Sequence, residues 1–431
     1  MVTLSHRPST AVIGGPAHSA WTRPDSFFDW RQKLREEGAV PIIAVAGSRG
    51  KSTVIRVLDA IFRAAELSTA TWTDMGVEIR GRRQSGELGP WSRALERLAA
   101  SRLDVAIQEL DWSTVRAVGL PGGIYPVLAL TNVCVNSDQC MIHDEARRAM
   151  MALPSVLRAV HPEGVLVLNG EDYAVSGEEV HSPAPAILVA HSHENPLIRG
   201  QLRHERIAVW TENGEVLLGG ADHQVTLCRV DSLPIALGGE ASFQLMNVMV
   251  AASAAYATGI PAAVIRDALA GFMPNPIDLP GSFNLIDAGG VTIIVDRPDP
   301  SWFLRPVLRV VRDIPHHRLI TVAGQFAGAP VSDVQEIGRL VGRASTAIIL
   351  HSQESDAERS ERLRQGIAMN DVPPVVIRTT TERRAVNRAL RMARPGDALL
   401  ILAEQAPAVL RSVMRAANNS EYGTGDPASD V

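Results

Sequence analysis

The sequence predicts an α/β fold, with a central domain built on a parallel sheet and a P-loop, a β insertion, and a smaller C-terminal α/β domain. Three observations predict it. Short apolar runs alternate with segments of helical periodicity from residue 39 onward. A glycine-rich turn joins the first apolar run to the first helical segment, and the proline-rich stretch 272–282 interrupts the alternation. Such alternation favours parallel strands covered by helices on both faces.

The first half of the chain contains apolar runs of the length that is typical of buried strands. These runs predict strands at 42–46, 103–109, 126–133 and 164–168. Apolar residues at helical spacing predict helices over 91–100 and 144–160. The order of these elements is that of a parallel sheet with helical connections.

Residues 185–236 have a different character, because short alternating segments follow one another across turns such as Asn213-Gly214. This pattern predicts an antiparallel β insertion. Helical spacing returns at 242–257 and 261–271. Beyond the proline-rich stretch, a second α/β domain is predicted, with strands near 291–296, 318–323, 346–350 and 398–402.

These patterns divide the 431 residues into four parts, since the chain is too long for one ordinary core. Residues 1–38 are predicted to be an N-terminal extension with a short helix near 27–37. Residues 39–276 are predicted to form the central domain and residues 277–415 the C-terminal domain. The tail 416–431 has little to bury and is predicted to be disordered.

The segment "IIAVAGSRGKSTVIRVLDAIF", residues 42–62, predicts a phosphate-binding loop. A strand, a glycine turn and a helix N-terminus together direct backbone N–H groups and partial positive charge at an anion. Lys51 adds a mobile cation, and Ser52 can reach a magnesium ion. The match is shorter than a full Walker A motif, because Val45 stands where the first glycine would be.

Composition narrows the function classes. The net charge of −5 gives no reason to expect nucleic-acid binding. No apolar run approaches the roughly 18 residues of a transmembrane helix, and the first residues lack the apolar core of a signal peptide. We therefore expect a cytoplasmic protein with neither a membrane nor a nucleic-acid partner. Lysine occurs only as Lys33 and Lys51. One of the two therefore lies in the predicted phosphate-binding loop, where phosphate binding favours a compact point charge.

Seven segments, in order along the chain, resemble motifs of the Mur ligase and folylpolyglutamate synthase superfamily, and most closely the Mur-ligase-like half of cyanophycin synthetase. They are AGSRGKST (46–53), TWTDMGVEIRGRR (71–83), LDVAIQELDWSTVRAVGL (103–120), LTNVCVNSD (130–138), EGVLVLNGED (163–172), FQLMNVMVAASAAYATGIPAAVI (243–265), and LPGSFNLID with VTIIVDRPDP (279–300).

The resemblance implies a Mur-ligase-type central domain, a Rossmann-like C-terminal domain and an ATP-dependent carboxylate–amine ligase that works through an acyl phosphate. Its cofactors would be ATP and Mg²⁺, and its substrate an amino acid or peptide. The implied catalytic residues are Lys51, Glu109 and Asp138, with Ser52 and Glu109 on the metal. The implied nucleotide-binding residues are Gly47, Ser48, Arg49, Gly50, Lys51, Ser52, Thr53, Asn247 and Asp296.

The chain departs from the family pattern at several positions. Gln139 stands where the family has a metal-binding histidine. Pro154 stands near the position at which many members have a lysine that becomes carbamylated. Ser282 replaces an arginine that contacts phosphate. The segment "DRPDP" keeps Asp296 but lacks the family's His-Asn pair, and "GQFAG" replaces its Gly-Asp-Arg loop.

Three functions stay open at this point. The first is the ligase. The second is a degenerate nucleotide-binding subunit with a structural or regulatory role, which the departures favour. A P-loop kinase or GTPase is the third, although neither a base-specificity loop nor a Walker B pattern is evident. About 40 residues precede the P-loop. That is too few for the ATP-grasp half of cyanophycin synthetase, so we expect either that a partner chain or a homo-oligomer completes the activity or that this protein has a different function.

Overall fold

The computed structural model describes residues 40–84, 98, 100–134, 144–220, 224–351 and 357–421. Several predictions lie outside these residues. They are the helix near 27–37, most of the helix over 91–100, the site residue Asp138 with its neighbour Gln139, and the tail beyond 421.

The larger sheet has eleven strands in the order β11-β10-β9-β8-β7-β6-β1-β5-β2-β3-β4. Seven central strands run parallel, and antiparallel strands lie at both edges. The strands are β1 Ile42–Ala46, β2 Thr69–Thr73, β3 Gly76–Ile79, β4 Arg82–Arg83, β5 Val105–Leu110, β6 Tyr125–Leu130, β7 Val160–Asn169, β8 Ala186–Val189, β9 Ala208–Glu212, β10 Glu215–Gly219 and β11 Gln224–Arg229.

Helices cover both faces of this sheet, because its central strands are apolar on both sides. One face packs against α1, α5 and α6, and the other against α2 and α3. The helices of this half are α1 Lys51–Ala64, α2 Trp112–Val118, α3 Asp144–Arg158, α4 Pro196–Arg203, α5 Ser242–Ala257 and α6 Ala262–Ala270.

The predicted antiparallel insertion over 185–236 is only partly correct. Strand β8 pairs parallel with β7, and β9 pairs parallel with β8 across the short helix α4. Antiparallel pairing begins at β9 and continues through β10 and β11. Asn213 and Gly214 form the first antiparallel turn, both with positive φ, as this turn type requires. The segment therefore extends the parallel sheet before it turns antiparallel.

The smaller sheet has six strands in the order β12-β13-β17-β14-β15-β16, parallel except for β12. Its strands are β12 Asn284–Asp287, β13 Thr292–Asp296, β14 Leu319–Ala323, β15 Ala347–His351, β16 Val375–Thr379 and β17 Ala398–Leu402. Its helices are α7 Ser301–Asp313, α8 Val331–Ala344, α9 Ala357–Ala368, α10 Glu382–Met392 and α11 Ala406–Glu421. The four predicted strands correspond to β13, β14, β15 and β17.

The prediction of disorder from residue 416 is wrong for its first part. Helix α11 continues through Glu421, so residues 416–421 are helical. Ala416 and Ala417 are strong helix formers, and they extend a helix whose earlier turns are anchored by the buried Val409, Leu410 and Val413.

Within the described residues, no helix is both long and apolar enough to cross a membrane.

Candidate active site

The P-loop lies between β1 and α1, and two of its residues must be glycine. Gly47 and Gly50 have φ of 145° and 85°. A Cβ on Gly47 would lie 1.9 Å from Thr131 Oγ1, and one on Gly50 would lie 2.2 Å from Asn247 Oδ1. Both positions therefore need a residue without a side chain, for backbone conformation and for space.

The turn is fixed by the end of the neighbouring strand β6. Ser48 N donates to Asn132 O at 2.8 Å, and Arg49 N donates to Asn132 Oδ1 at 3.0 Å. Thr131 Oγ1 donates to Arg49 O at 2.6 Å. The sequence analysis assigned no role to Thr131 or Asn132, although polar residues directly after a buried parallel strand are a signal for such a position.

Helix α1 begins with its N-terminus open toward the loop. Gly50 occupies the N-cap, and among the described residues no side chain caps the helix there. The first N–H groups and the helix dipole therefore point toward the space in front of the P-loop. That is the arrangement that binds anions in phosphate loops.

Lys51, Ser52 and Glu109 come together as the sequence analysis expects. Glu109 lies on β5 beside Val45 of β1, so the two strands end together. Ser52 Oγ donates to Glu109 Oε2 at 3.1 Å, and Lys51 Nζ lies 3.5 Å from Glu109 Oε1. Lys51 Nζ also donates to Gly47 O at 2.8 Å. The carboxylate thus contacts both residues that are expected to serve phosphate and metal.

A second carboxylate lies near this group. Asp111 caps helix α2 by accepting from Thr114 N at 2.9 Å, and its side chain borders the same cavity. Burial favours a higher pKa for Asp111, but hydrogen bonds from Ser113 and Thr114 and the charge of Lys51 outweigh it and lower the pKa. Asp111 therefore adds negative charge beside Lys51 at neutral pH.

The P-loop opens into a cavity of about 440 Å³ that both sheets border. Asn247 of α5 lines it next to Gly50, and its amide donates to Gln244 Oε1 at 3.1 Å. Thr53 and Ser282 also border the cavity. A nucleotide-binding role for Asn247 fits this placement and stays a prediction.

Asp296, at the end of β13, borders the cavity but is almost fully buried. It accepts hydrogen bonds from Phe283 N at 3.2 Å and Arg297 N at 3.0 Å. Burial, and then the neighbouring Asp299, raise the pKa of its carboxyl well above the usual range. Asp296 thus fixes the loop that follows β13, an arrangement that sequence reasoning did not foresee.

The loop after β13 reaches across the cavity to the P-loop. Arg49 Nε donates to Asp299 Oδ1 at 2.5 Å. Phe243 of α5 packs edge-on against Phe283 and Phe303, with ring centroids 5.6 Å apart in each pair. The contacts of Asp299 and of the phenylalanines could not be predicted from the sequence, because they join segments far apart in the chain.

The positions that depart from the family pattern lie in different places. Ser282 borders the cavity, whereas Pro154 lies exposed on helix α3.

Asp172 is another residue whose structural role was not predicted. It is fully buried and accepts hydrogen bonds from Val133 N and Cys134 N at 2.7 Å each. Burial raises its pKa, although these backbone hydrogen bonds oppose the rise. Asp172 holds the segment that follows Asn132.

Comparison with known proteins gives a consistent result. No protein-family model matches the chain. Cyanophycin synthetase of Nostoc sp. is 26% identical over 387 residues, which cover 88% of this chain and 43% of that protein. UDP-N-acetylmuramoyl-L-alanyl-D-glutamate–2,6-diaminopimelate ligase of Mesorhizobium japonicum is 24% identical, over 84% of this chain and 72% of that ligase. The chain therefore spans less than half the length of the cyanophycin synthetase that it matches.

The fold matches solved structures over nearly the whole chain. FolC of E. coli in complex with DHPP and ADP superposes with a TM-score of 0.63 at 15% identity, covering 92% of this chain and 93% of that one. The chain has the fold of the Mur ligases, and the resemblance to their superfamily that its motifs indicate is confirmed over most of its length.

Proposed function

We propose that the chain is an ATP-dependent ligase that joins a carboxylate to an amine. The observation that carries this proposal is the grouping of Lys51, Ser52 and Glu109 at an uncapped helix N-terminus. The names of the relatives, cyanophycin synthetase and a diaminopimelate ligase, support ligation as the reaction. Because the chain spans less than half of the former, we extend only this reaction class to it, with an amino acid or peptide as substrate.

The chain's own residues supply the phosphate-binding part of this reaction. We propose that the N–H groups of residues 47–53 surround the phosphates and that Lys51 neutralises their charge. Thr53 lies in the first turn of α1. Asn247 borders the part of the cavity in which we place the adenine base of ATP. We assign Asp138 a catalytic role only on the resemblance, because it lies outside the described residues.

Ser52 and Glu109 fit a magnesium site. Their oxygens lie 3.1 Å apart and face the P-loop, and magnesium in nucleotide enzymes is commonly bound by one or two protein oxygens plus phosphates and water. Among the described residues, no group of three or more aspartate, glutamate, histidine or cysteine side chains is arranged to hold a metal ion by itself. When bound, the ion would offset negative charge on the transferred phosphoryl group.

The proposed reaction has two balanced steps. The γ-phosphoryl group passes from ATP to a carboxylate oxygen, which yields ADP and an acyl phosphate. An amine nitrogen then attacks the acyl carbon, the bond to phosphate breaks, and the amine loses a proton as the amide forms. The cavity between the two sheets would hold the reacting ends together and limit water, which would otherwise hydrolyse the acyl phosphate.

The degenerate-subunit alternative is less well supported. The residues that would bind phosphate and metal are intact and in contact, and the named relatives are ligases.

We propose two structural units, 39–276 and 277–421, with the second extended to the end of α11. A partner chain or a homo-oligomer, and a cytoplasmic location, stay predictions.

Release of phosphate from ATP tests the ligase directly. The full chain would be incubated with MgATP, candidate carboxylates and each proteinogenic amino acid, and phosphate and new amide product would be measured. We expect release that depends on both substrates and is lost in Lys51→Ala. Lys33→Ala, which changes the chain's other lysine, is the matched control and should keep activity. Nucleotide binding without product under every condition would favour the subunit role.

A further inference from the structure

One ion pair ties the P-loop to the smaller sheet. Arg49 lies in the P-loop, two positions before Lys51, and Asp299 lies in the loop after β13. Arg49 Nε donates to Asp299 Oδ1 at 2.5 Å, and Arg49 Nη1 donates to Ser48 O at 2.8 Å. The side chains are 23% and 9% exposed, so water screens this pair less than a surface pair.

The pair borders the space proposed for the phosphates. Arg49, Lys51 and Asp299 all line the same cavity. Lys51 already contacts Glu109 and Gly47 O, whereas the other lining arginine, Arg297, is about half exposed and 3.7 Å from Asp74. Arg49 is thus the mostly buried guanidinium at the P-loop, and its planar donor set suits phosphate as well as carboxylate.

Asp299 is the carboxylate that pairs with Arg49 on this side of the cavity. Its neighbour Asp296 is almost fully buried, and that burial, followed by the proximity of Asp299, raises the pKa of Asp296. A triphosphate that enters the cavity would meet, besides Glu109 and Asp111, the carboxylate of Asp299, which holds Arg49 and repels phosphate. Phosphate and Asp299 would compete for the same guanidinium.

We propose that Asp299 restrains nucleotide binding by holding Arg49 across the cavity, so that a nucleotide must take Arg49 from the smaller sheet when it binds. This inference rests on the proposed nucleotide site and adds a regulation of it. By reciprocity, whatever moves the loop after β13 away from the P-loop would strengthen nucleotide binding. Arg49 is then a positioning residue that is shared between the two sheets.

A double-mutant cycle tests the inference. Calorimetric titration of the full chain with MgATP would compare the parent with Asp299→Asn, Arg49→Ala and the double variant. We expect Asp299→Asn to bind ATP about three- to tenfold more tightly, the effect of one partly buried charge contact. Arg49→Ala should bind more weakly. In the Arg49→Ala background, Asp299→Asn should change the Kd less than about twofold, because the contact between these two side chains is already removed.

Controls separate this effect from others. Asp313→Asn removes one exposed carboxylate of the smaller sheet's helix α7, far from the cavity lining, and should leave the ATP affinity unchanged. Adenosine, which has no phosphate, should bind the parent and Asp299→Asn alike. Thermal unfolding of each variant shows whether the fold is kept, and Asp299→Ser, which also removes the charge, replaces Asp299→Asn if that variant fails to fold. Asp299→Glu should bind ATP within about twofold of the parent, since it keeps the charge.

The ATP-binding results distinguish a failure of the restraint by Asp299 from a failure of the proposed nucleotide site. Weaker or unchanged ATP binding in a folded Asp299→Asn, or equal tightening with and without Arg49, would overturn the inference; the second result would mean that Asp299 acts by its charge alone. ATP binding that survives Lys51→Ala unchanged, or a parent that does not bind ATP, would instead overturn the proposed nucleotide site, and the inference with it.

Discussion

Individual side chains at the P-loop show how few residues carry the proposed chemistry. Glu109 contacts both Lys51 and Ser52. One carboxylate therefore orients the lysine that is expected to bind phosphate and the serine that is expected to bind the metal. Its position was predictable, because a polar residue at the end of a buried parallel strand lies at the sheet edge where ligands bind. The Arg49–Asp299 pair was not, because 250 residues separate its members.

The first prediction concerns Glu109. Glu109→Gln keeps the shape but removes the negative charge that the metal would need, so magnesium-dependent ATP binding should weaken by about 1–3 kcal/mol. Calorimetric titration with MgATP and with ATP in EDTA measures the effect, which should be confined to the magnesium titration. An equal loss in both titrations would mean that Glu109 acts only on Lys51 and binds no metal.

The second prediction concerns a buried ion pair behind the P-loop. Arg56 on α1 donates to both carboxylate oxygens of Glu78 on β3, at 2.6 and 2.9 Å. Hydrogen bonding from Arg56 lowers the pKa of Glu78, although burial opposes it. A carboxyl with a lowered folded pKa stabilises the fold above its unfolded pKa, near 4.5, and this contribution is lost as the pH falls through the folded value.

Glu78→Gln should therefore lower the unfolding free energy at pH 7 by about 1–3 kcal/mol. The difference from the parent should shrink as the pH falls below the unfolded pKa. Urea unfolding at several pH values measures both effects. Glu358→Gln, in the exposed pair with Arg362, is the matched control and should have almost no effect. A difference that grows at low pH would contradict the assigned pKa direction.

Helices and strands were predictable where the local pattern decides them. Strand β1 and helix α5 follow the predicted ranges 42–46 and 242–257 closely, since the first has an unbroken apolar run and the second has helical spacing. Helix α4 was missed because it spans only eight residues, and without it β8 and β9 could not be recognised as parallel. Strand β16 was also missed; its Val375 and Val376 are exposed, so burial does not impose a clear pattern there.

The third prediction compares a glycine of the P-loop with a glycine inside helix α4. Gly50→Ala should lower the unfolding free energy by about 1–3 kcal/mol, because its φ is 85° and the new Cβ would meet Asn247. Gly200→Ala, within α4, meets nothing within 4 Å and should stabilise the fold by about 0.5–1 kcal/mol. Urea unfolding checks both. A neutral Gly50→Ala would contradict the P-loop conformation described for this chain.

At the scale of the whole molecule, the described residues form two sheets whose loops meet at one cavity. Sequence patterns predicted both sheets, because each repeats strand and helix on its own side of the proline-rich stretch. They could not predict how the loop after β13 meets the P-loop, since that contact depends on the packing of Phe243, Phe283 and Phe303 between distant segments. The contact between Arg49 and Asp299 was therefore not predictable, although the sequence indicated the P-loop, Asn247 and Asp296 as parts of the proposed nucleotide site.

The most direct test of the proposed site is the effect of MgATP on thermal unfolding of the full chain. A ligand that binds only the folded state stabilises it by mass action, by about 2.7 kcal/mol at a hundredfold excess over Kd. We expect a clear rise in Tm for the parent and for Lys33→Ala, and almost none for Lys51→Ala. An equal rise in Lys51→Ala, or no rise in the parent at millimolar MgATP, would contradict a nucleotide site at this P-loop.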